Sequence, residues 1–136
     1  MRQRLKVLCR KSEAFENAVI YSFNDYCRET GAQLNLELQA LSLPELHNGI
    51  MRGDFDVAHV NTDWLAQGWR EGKLLDISSM IKENPPESYP IDYDRSMLTL
   101  QTFSDGVVGL PFHDGPECLI YRTDLFNNPA EREAYF

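Results

Sequence analysis

No apolar run in this 136-residue chain is long enough to span a bilayer. No secretory signal is expected among these residues either, because the first apolar run, "LKVLC", falls far short of an h-region. Lys6 and the bulky Leu8 argue against Cys9 as a lipid-anchored cysteine, which small residues and a long apolar stretch should precede. Cysteine is scarce: Cys9, Cys27 and Cys118 are an odd number, without CxxC or Cys/His spacing. They read as buried free thiols, not a disulfide framework or a zinc site. No glycine-rich loop follows the first strand, so a nucleotide site is not expected. There is no GxSxG, and no HExxH-like spacing ties His59 and His113 together, so nucleophilic and metal-assisted catalysis lack their usual residues. Cations are outnumbered, 13 Lys and Arg against 21 Asp and Glu, for a net charge of −8 that repels a phosphate backbone. The one basic cluster, Arg2, Arg4, Lys6, Arg10 and Lys11, is split between two faces by strand alternation, and no nucleic-acid partner is expected. Internal repeats and low-complexity tracts are also missing.

What is present is ordinary for a soluble globular protein: 43% hydrophobic and 25% charged residues, in a chain long enough for one real core. The hydrophobic pattern alternates between period two and period 3.6. "RLKVLCR" predicts a strand with Leu5, Val7 and Cys9 facing in. Ser12 offers an N-cap to "EAFENAVIYSFNDYCRET", where Phe15, Val19, Phe23, Tyr26 and Cys27 recur at helical spacing before Gly31. "QLNLELQAL" alternates as a strand. Ser42 and Glu45 stand at capping-box spacing ahead of Leu43, Leu46, Ile50 and Met51, and Gly53 closes that helix. "FDVAHVN" predicts a third strand and "TDWLAQGWREG" a third helix, with His47 on the surface of the second. Three strand–helix units in succession predict an α/β fold with a parallel sheet of βαβ units. Beyond Gly72, a short helix, a proline-rich loop and a second helix from about Asp92 are expected. Asp105-Gly106, set between β-formers, then predicts a hairpin.

Ligands of such sheets bind beyond the carboxyl ends of the strands. Three segments are therefore candidates to share one rim: "RKSEAF", "HVNTDW" and "FHDGPE". Asn61, Thr62 and Asp63 offer amide, hydroxyl and carboxylate groups beside the broad Trp64 ring, a set that suits a sugar's hydroxyls and apolar face. The plainer reading makes Thr62 or Asp63 a helix cap and Trp64 a core residue. In the third segment His113, Asp114 and Glu117 surround a Gly-Pro turn, and a simple polar turn is the alternative there. An enzyme reading would make His113 a base with Asp63 or Asp114 as its orienter.

The three segments, in this order, resemble the N-terminal part of the extracellular solute-binding proteins of family 1, the carbohydrate-binding components of ABC importers. The resemblance is carried by "LKVLCRKSEAFENAVIYSFNDYCRETG", by "GDFDVAHVNTDWLAQGWREGKLLDIS", and most specifically by "SDGVVGLPFHDGPECLIYRTDLF". It implies a periplasmic-binding-protein-like fold of type II, with two α/β lobes closing on a ligand. Residues 1–111 would form the N-terminal lobe, 112–117 the first hinge crossing, and 118–136 the start of a second lobe, with "CLIYR" as its first strand. It also implies ligand contacts from Ser12, Glu13, Asn61, Asp63, Trp64, His113, Asp114 and Glu117.

A non-catalytic sugar-binding component is thus expected, needing no cofactor and no metal. Its partners would be a carbohydrate and the membrane permease of an ABC transporter. The expected location is the periplasm or the outer face of the cell membrane, and a full-length member should be monomeric. The family's export signal and the rest of its second lobe are not among these residues. The expectation is accordingly a fragment holding half of a binding cleft, with "CLIY" unpaired. The different-class alternative is a small standalone α/β enzyme or regulatory domain using His113 and Asp114.

Overall fold

A computed structural model describes residues 3–103, 106–113, 115, 120–130 and 133. The main sheet has three parallel strands, β1 (Gln3–Arg10), β2 (Leu34–Leu41) and β3 (Val57–Ala58), in the order β2-β1-β3. The α/β class expected from the alternating pattern is the one observed. β1 runs alongside β2 from Gln3↔Leu34 to Arg10↔Leu41, and pairs on its other edge through Val7↔Val57 and Leu8↔Ala58. Helices α1 (Glu13–Thr30) and α2 (Leu43–Arg52) make the crossovers, and α3 (Thr62–Arg70) follows β3.

The central position of β1 corrects its expected inside-outside alternation. Val7, Leu8 and Cys9 are all buried, Leu8 at 2% exposure, because a central parallel strand is covered on both faces. On one face Leu8 meets Leu46 and Ile50 of α2 in the core cluster, joined by Leu41, Met51, Phe55, Ala58, Val60 and Trp64. Burial pushes the Cys9 thiol pKa up, with Glu16 adding to the effect, which disfavours the thiolate.

α2 is built as its sequence predicts. The Ser42 amide donates to Glu45 Oε2 at 3.0 Å, the capping box is closed, and Gly53 ends the helix at φ +75°. Leu43 departs from the expected apolar stripe: at the first turn it lies exposed, while Leu46 and Ile50 carry the burial. His47, expected at the surface, is half-buried. In α1 the predicted stripe exists but is only half-covered, and no residue of the helix is fully buried. Ser12 occupies the N-cap position without a side-chain cap bond, and Gly31 terminates the helix at φ +70°.

β3 is shorter than "FDVAHVN" predicts, for a local reason. Asp56 Oδ2 accepts from the Lys6 amide at 2.7 Å, replacing the backbone partner a longer strand would supply. The ladder is still extended at both ends, since Asp56 N donates to Lys6 O and His59 N to Leu8 O, each at 2.9 Å.

Helices α4 (Ser78–Glu83) and α5 (Arg95–Leu100) frame the proline-rich loop, and β4 (Thr102–Phe103) pairs antiparallel with β5 (Gly106–Val107). That is the expected hairpin, although Asp105 lies outside the described residues. So do Asp114, Glu117 and Cys118. Of the expected "CLIYR" strand, residues 120–122 form no strand, and Ile120 is 88% exposed. A short helix, α6 (Thr123–Phe126), follows.

Candidate ligand site

The carboxyl ends of β1 and β3 and the segment beyond β5 deliver the candidate residues. Ser12 is half-buried at the start of α1, where its carbonyl accepts from Glu16 N at 2.9 Å, and Glu13 is exposed beside it. Asn61 is the N-cap residue of α3 in extended conformation, φ −65° and ψ 143°. Its carbonyl accepts from Trp64 N at 3.0 Å, while its side-chain amide makes no bond to the helix end. Asp63, in the first turn, is exposed to solvent, and its charge there is favoured by the helix dipole.

Four rings draw the three segments together. His59 stacks on Phe112 with centroids 4.4 Å apart and planes at 26°. Phe15, in the first turn of α1, meets His59 edge-on at 5.6 Å and His113 edge-on at 5.2 Å. It also lies 6.0 Å from Phe112. Burial lowers the His59 pKa, and the neighbouring His113 lowers it further, so His59 is a neutral ring near pH 7. Of the expected ligand contacts, only His113 belongs to this cluster among the described residues. Phe15 had read as part of a helical stripe, His59 as a strand residue and Phe112 as the start of a hinge. The available signal was the shared rim, since all three lie at the strand ends where the segments were expected to converge.

Trp64 is held differently. Its half-buried ring packs on the Leu8–Leu46–Ile50 cluster and takes His47 edge-on at 5.1 Å. His47 Nε2 in turn lies 3.2 Å from Gln67 Oε1. Of the pair that the enzyme alternative would use, His113 makes a ring contact with Phe15, and Asp114 is outside the described residues. Among the described residues, no group of three His, Cys, Asp or Glu side chains could hold a metal ion.

An open cleft of about 1710 Å³ runs beneath α1 to this rim, where Asn61, Asp63, Phe112 and His113 line it. Its deeper wall is apolar, formed by Leu5, Val7 and other side chains of the sheet face.

Residues 15–133 match the family described as bacterial extracellular solute-binding protein. The chain belongs to that family. This solute-binding protein therefore has a substrate-binding role in transport, taking a small-molecule ligand and working with a transporter at an extracellular or periplasmic location. The family is typically non-enzymatic. The parallel sheet and its helices fit a periplasmic-binding-protein-like lobe. No curated protein matches the solute-binding chain. Among its described residues, no helix is long and apolar enough to cross a membrane.

Proposed function

We propose that this chain is the first lobe of the carbohydrate-binding component of an ABC importer. In this reading residues 1–111 form the lobe, 112–117 cross to a second lobe beginning at 118, and the ligand is enclosed by hinge closure. The observation that carries it is the convergence of aromatic rings and an acid-and-amide loop at one rim of the sheet. Pyranose rings need this combination: hydrogen-bonding groups for hydroxyls and a flat apolar surface for the C–H face. Asn61 and Asp63 serve the hydroxyls, with Ser12 and Glu13 at the neighbouring strand end. Trp64 fixes their loop from the core side, and His113, Asp114 and Glu117 supply acceptors at the crossing. The membrane permease senses closure.

A thermal-shift screen tests this. The chain is heated with mono- and oligosaccharides, and separately with amino acids, short peptides and polyamines. Saturable stabilisation confined to saccharides is expected, since a ligand that binds only the folded state raises the melting temperature. Stabilisation by a non-saccharide class alone would overturn the carbohydrate assignment.

A further inference from the structure

The rim carries more aromatic surface than the acid-and-amide loop accounts for. Phe112 is 57% exposed, yet it is not a loose side chain. His59 covers one of its faces at 4.4 Å, and Phe15 braces it from the side at 6.0 Å with planes at 53°. Phe15 is itself anchored between His59 and His113. A ring held this way has already lost most of its rotamer freedom. Covering its open face therefore gains apolar burial with little further ordering.

We propose that Phe112, backed by His59 and braced by Phe15, is the platform on which one pyranose ring of the ligand stacks. This rests on the saccharide reading above and names the subsite within it. The ring's negative face attracts the polarised C–H groups of a pyranose, and its position on the cleft wall leaves Asn61 and Asp63 to take the equatorial hydroxyls. The backing ring suits this task because His59 is neutral, so no charge must be desolvated when the ligand seals the rim. Trp64 offers less free surface, because its half-buried ring lies on the core cluster and against His47. Phe112 also stands at the start of the crossing segment.

The experiment titrates the chain with maltotriose, cellotriose and xylotriose, reading affinity by calorimetry and the Phe and His ring protons by NMR. At least one trisaccharide is expected to give saturable ring-current shifts at Phe112 and His59. Phe112→Ala should weaken that binding by about tenfold or more, and Phe112→Trp should restore it to within about threefold, with unchanged circular dichroism in both. Phe15→Leu, which removes the brace and keeps an apolar side chain, should cause an intermediate loss. Equal binding to the wild type and to Phe112→Ala overturns the platform and leaves the saccharide reading standing. Binding by none of the three sugars overturns both.

Discussion

Asp76 Oδ1 accepts a hydrogen bond from the Val107 amide at 3.1 Å, joining two segments 31 residues apart. The same oxygen takes the Ser78 amide at 2.9 Å and the Ser78 hydroxyl at 2.5 Å, and Ser78 Oγ itself lies 3.0 Å from Val107 N. On the other side Ile77 N donates to Val107 O at 2.8 Å. Both backbone groups of Val107 are thus engaged by residues 76–78. This junction ties the start of α4 to the hairpin that leads into the ring-bearing segment, so it fixes where Phe112 and His113 begin.

Removing the carboxylate leaves the Val107 and Ser78 amides with weaker partners. Asp76→Ala should lower the melting temperature by roughly 5 °C, and Asp76→Asn, which keeps one acceptor, by about half of that. Because this junction positions the rim, both variants should also broaden the NMR signals of Phe112. Sharp, unshifted Phe112 signals in Asp76→Ala would show that the hairpin holds its place without the junction.

Gly106 is required by the same junction. A Cβ there would stand 2.5 Å from Asp76 Cγ, closer than real contacts allow. Gly106→Ala is expected to cost ~1–3 kcal/mol in urea unfolding. In the double variant with Asp76→Ala the combined loss should be smaller than the sum of the two single losses, since Asp76→Ala removes the atoms that the new Cβ collides with. Simple additivity would refute the clash.

Trp64 and Asp63 are neighbours in sequence with separable roles. Trp64→Ala removes a half-buried ring from the core cluster and should lower stability by about 2 kcal/mol, read as a shifted urea midpoint at constant slope. Asp63→Asn, at an exposed position, should leave the midpoint in place and weaken saccharide binding by about tenfold. A midpoint unmoved by Trp64→Ala would remove the ring from the core.

His59 predicts an acid-side loss of stability. Its folded pKa lies below the ordinary value of 6.5 because burial disfavours the cation. The unfolded chain therefore takes up the proton first as pH falls through 6.5, and stability declines until the folded site titrates too. Asp76 and Asp94 act lower. Hydrogen bonds from Ser78 and Ser96 hold their carboxyls below 3.8, so their contribution is present above 3.8 and is lost as pH falls through the folded values. Melting temperatures from pH 7 to 5 should fall less steeply in His59→Gln than in the wild type. Parallel slopes would place the titration elsewhere.

Much of the fold was legible because local signals agreed. Ser42 and Glu45, and Gly31 and Gly53, mark helix boundaries by short-range chemistry, and the alternation of Leu34, Leu36 and Leu38 marks β2 as a strand, although Glu37 and Gln39 are half-buried like the leucines beside them. What could not be read was tertiary. The burial of Leu8 depends on α2 packing over its face of the sheet, and the length of β3 depends on Asp56 reaching the Lys6 amide. At the site, the three strand-end segments were identifiable from topology, but not which of their side chains would touch. Phe15, His59 and Phe112 carry no motif and become a cluster only once the sheet order β2-β1-β3 is set. The Asp76 junction was equally hidden, since its partners are backbone atoms that any residue could provide.

The central place of β1 also bears on how the chain is made. Leu8 is aligned with Gln39 on one side and Ala58 on the other, so the strand meets its last partner only after roughly fifty more residues have been synthesised. At translation rates of about 5–20 residues per second, that leaves the β3-facing edge of Val7 and Leu8 unpaired for about 3–10 s, even after β2 has joined the other edge. A parallel sheet built outward from its first strand thus gives a nascent chain an interval in which its central strand is open along one edge to a chaperone or to export machinery.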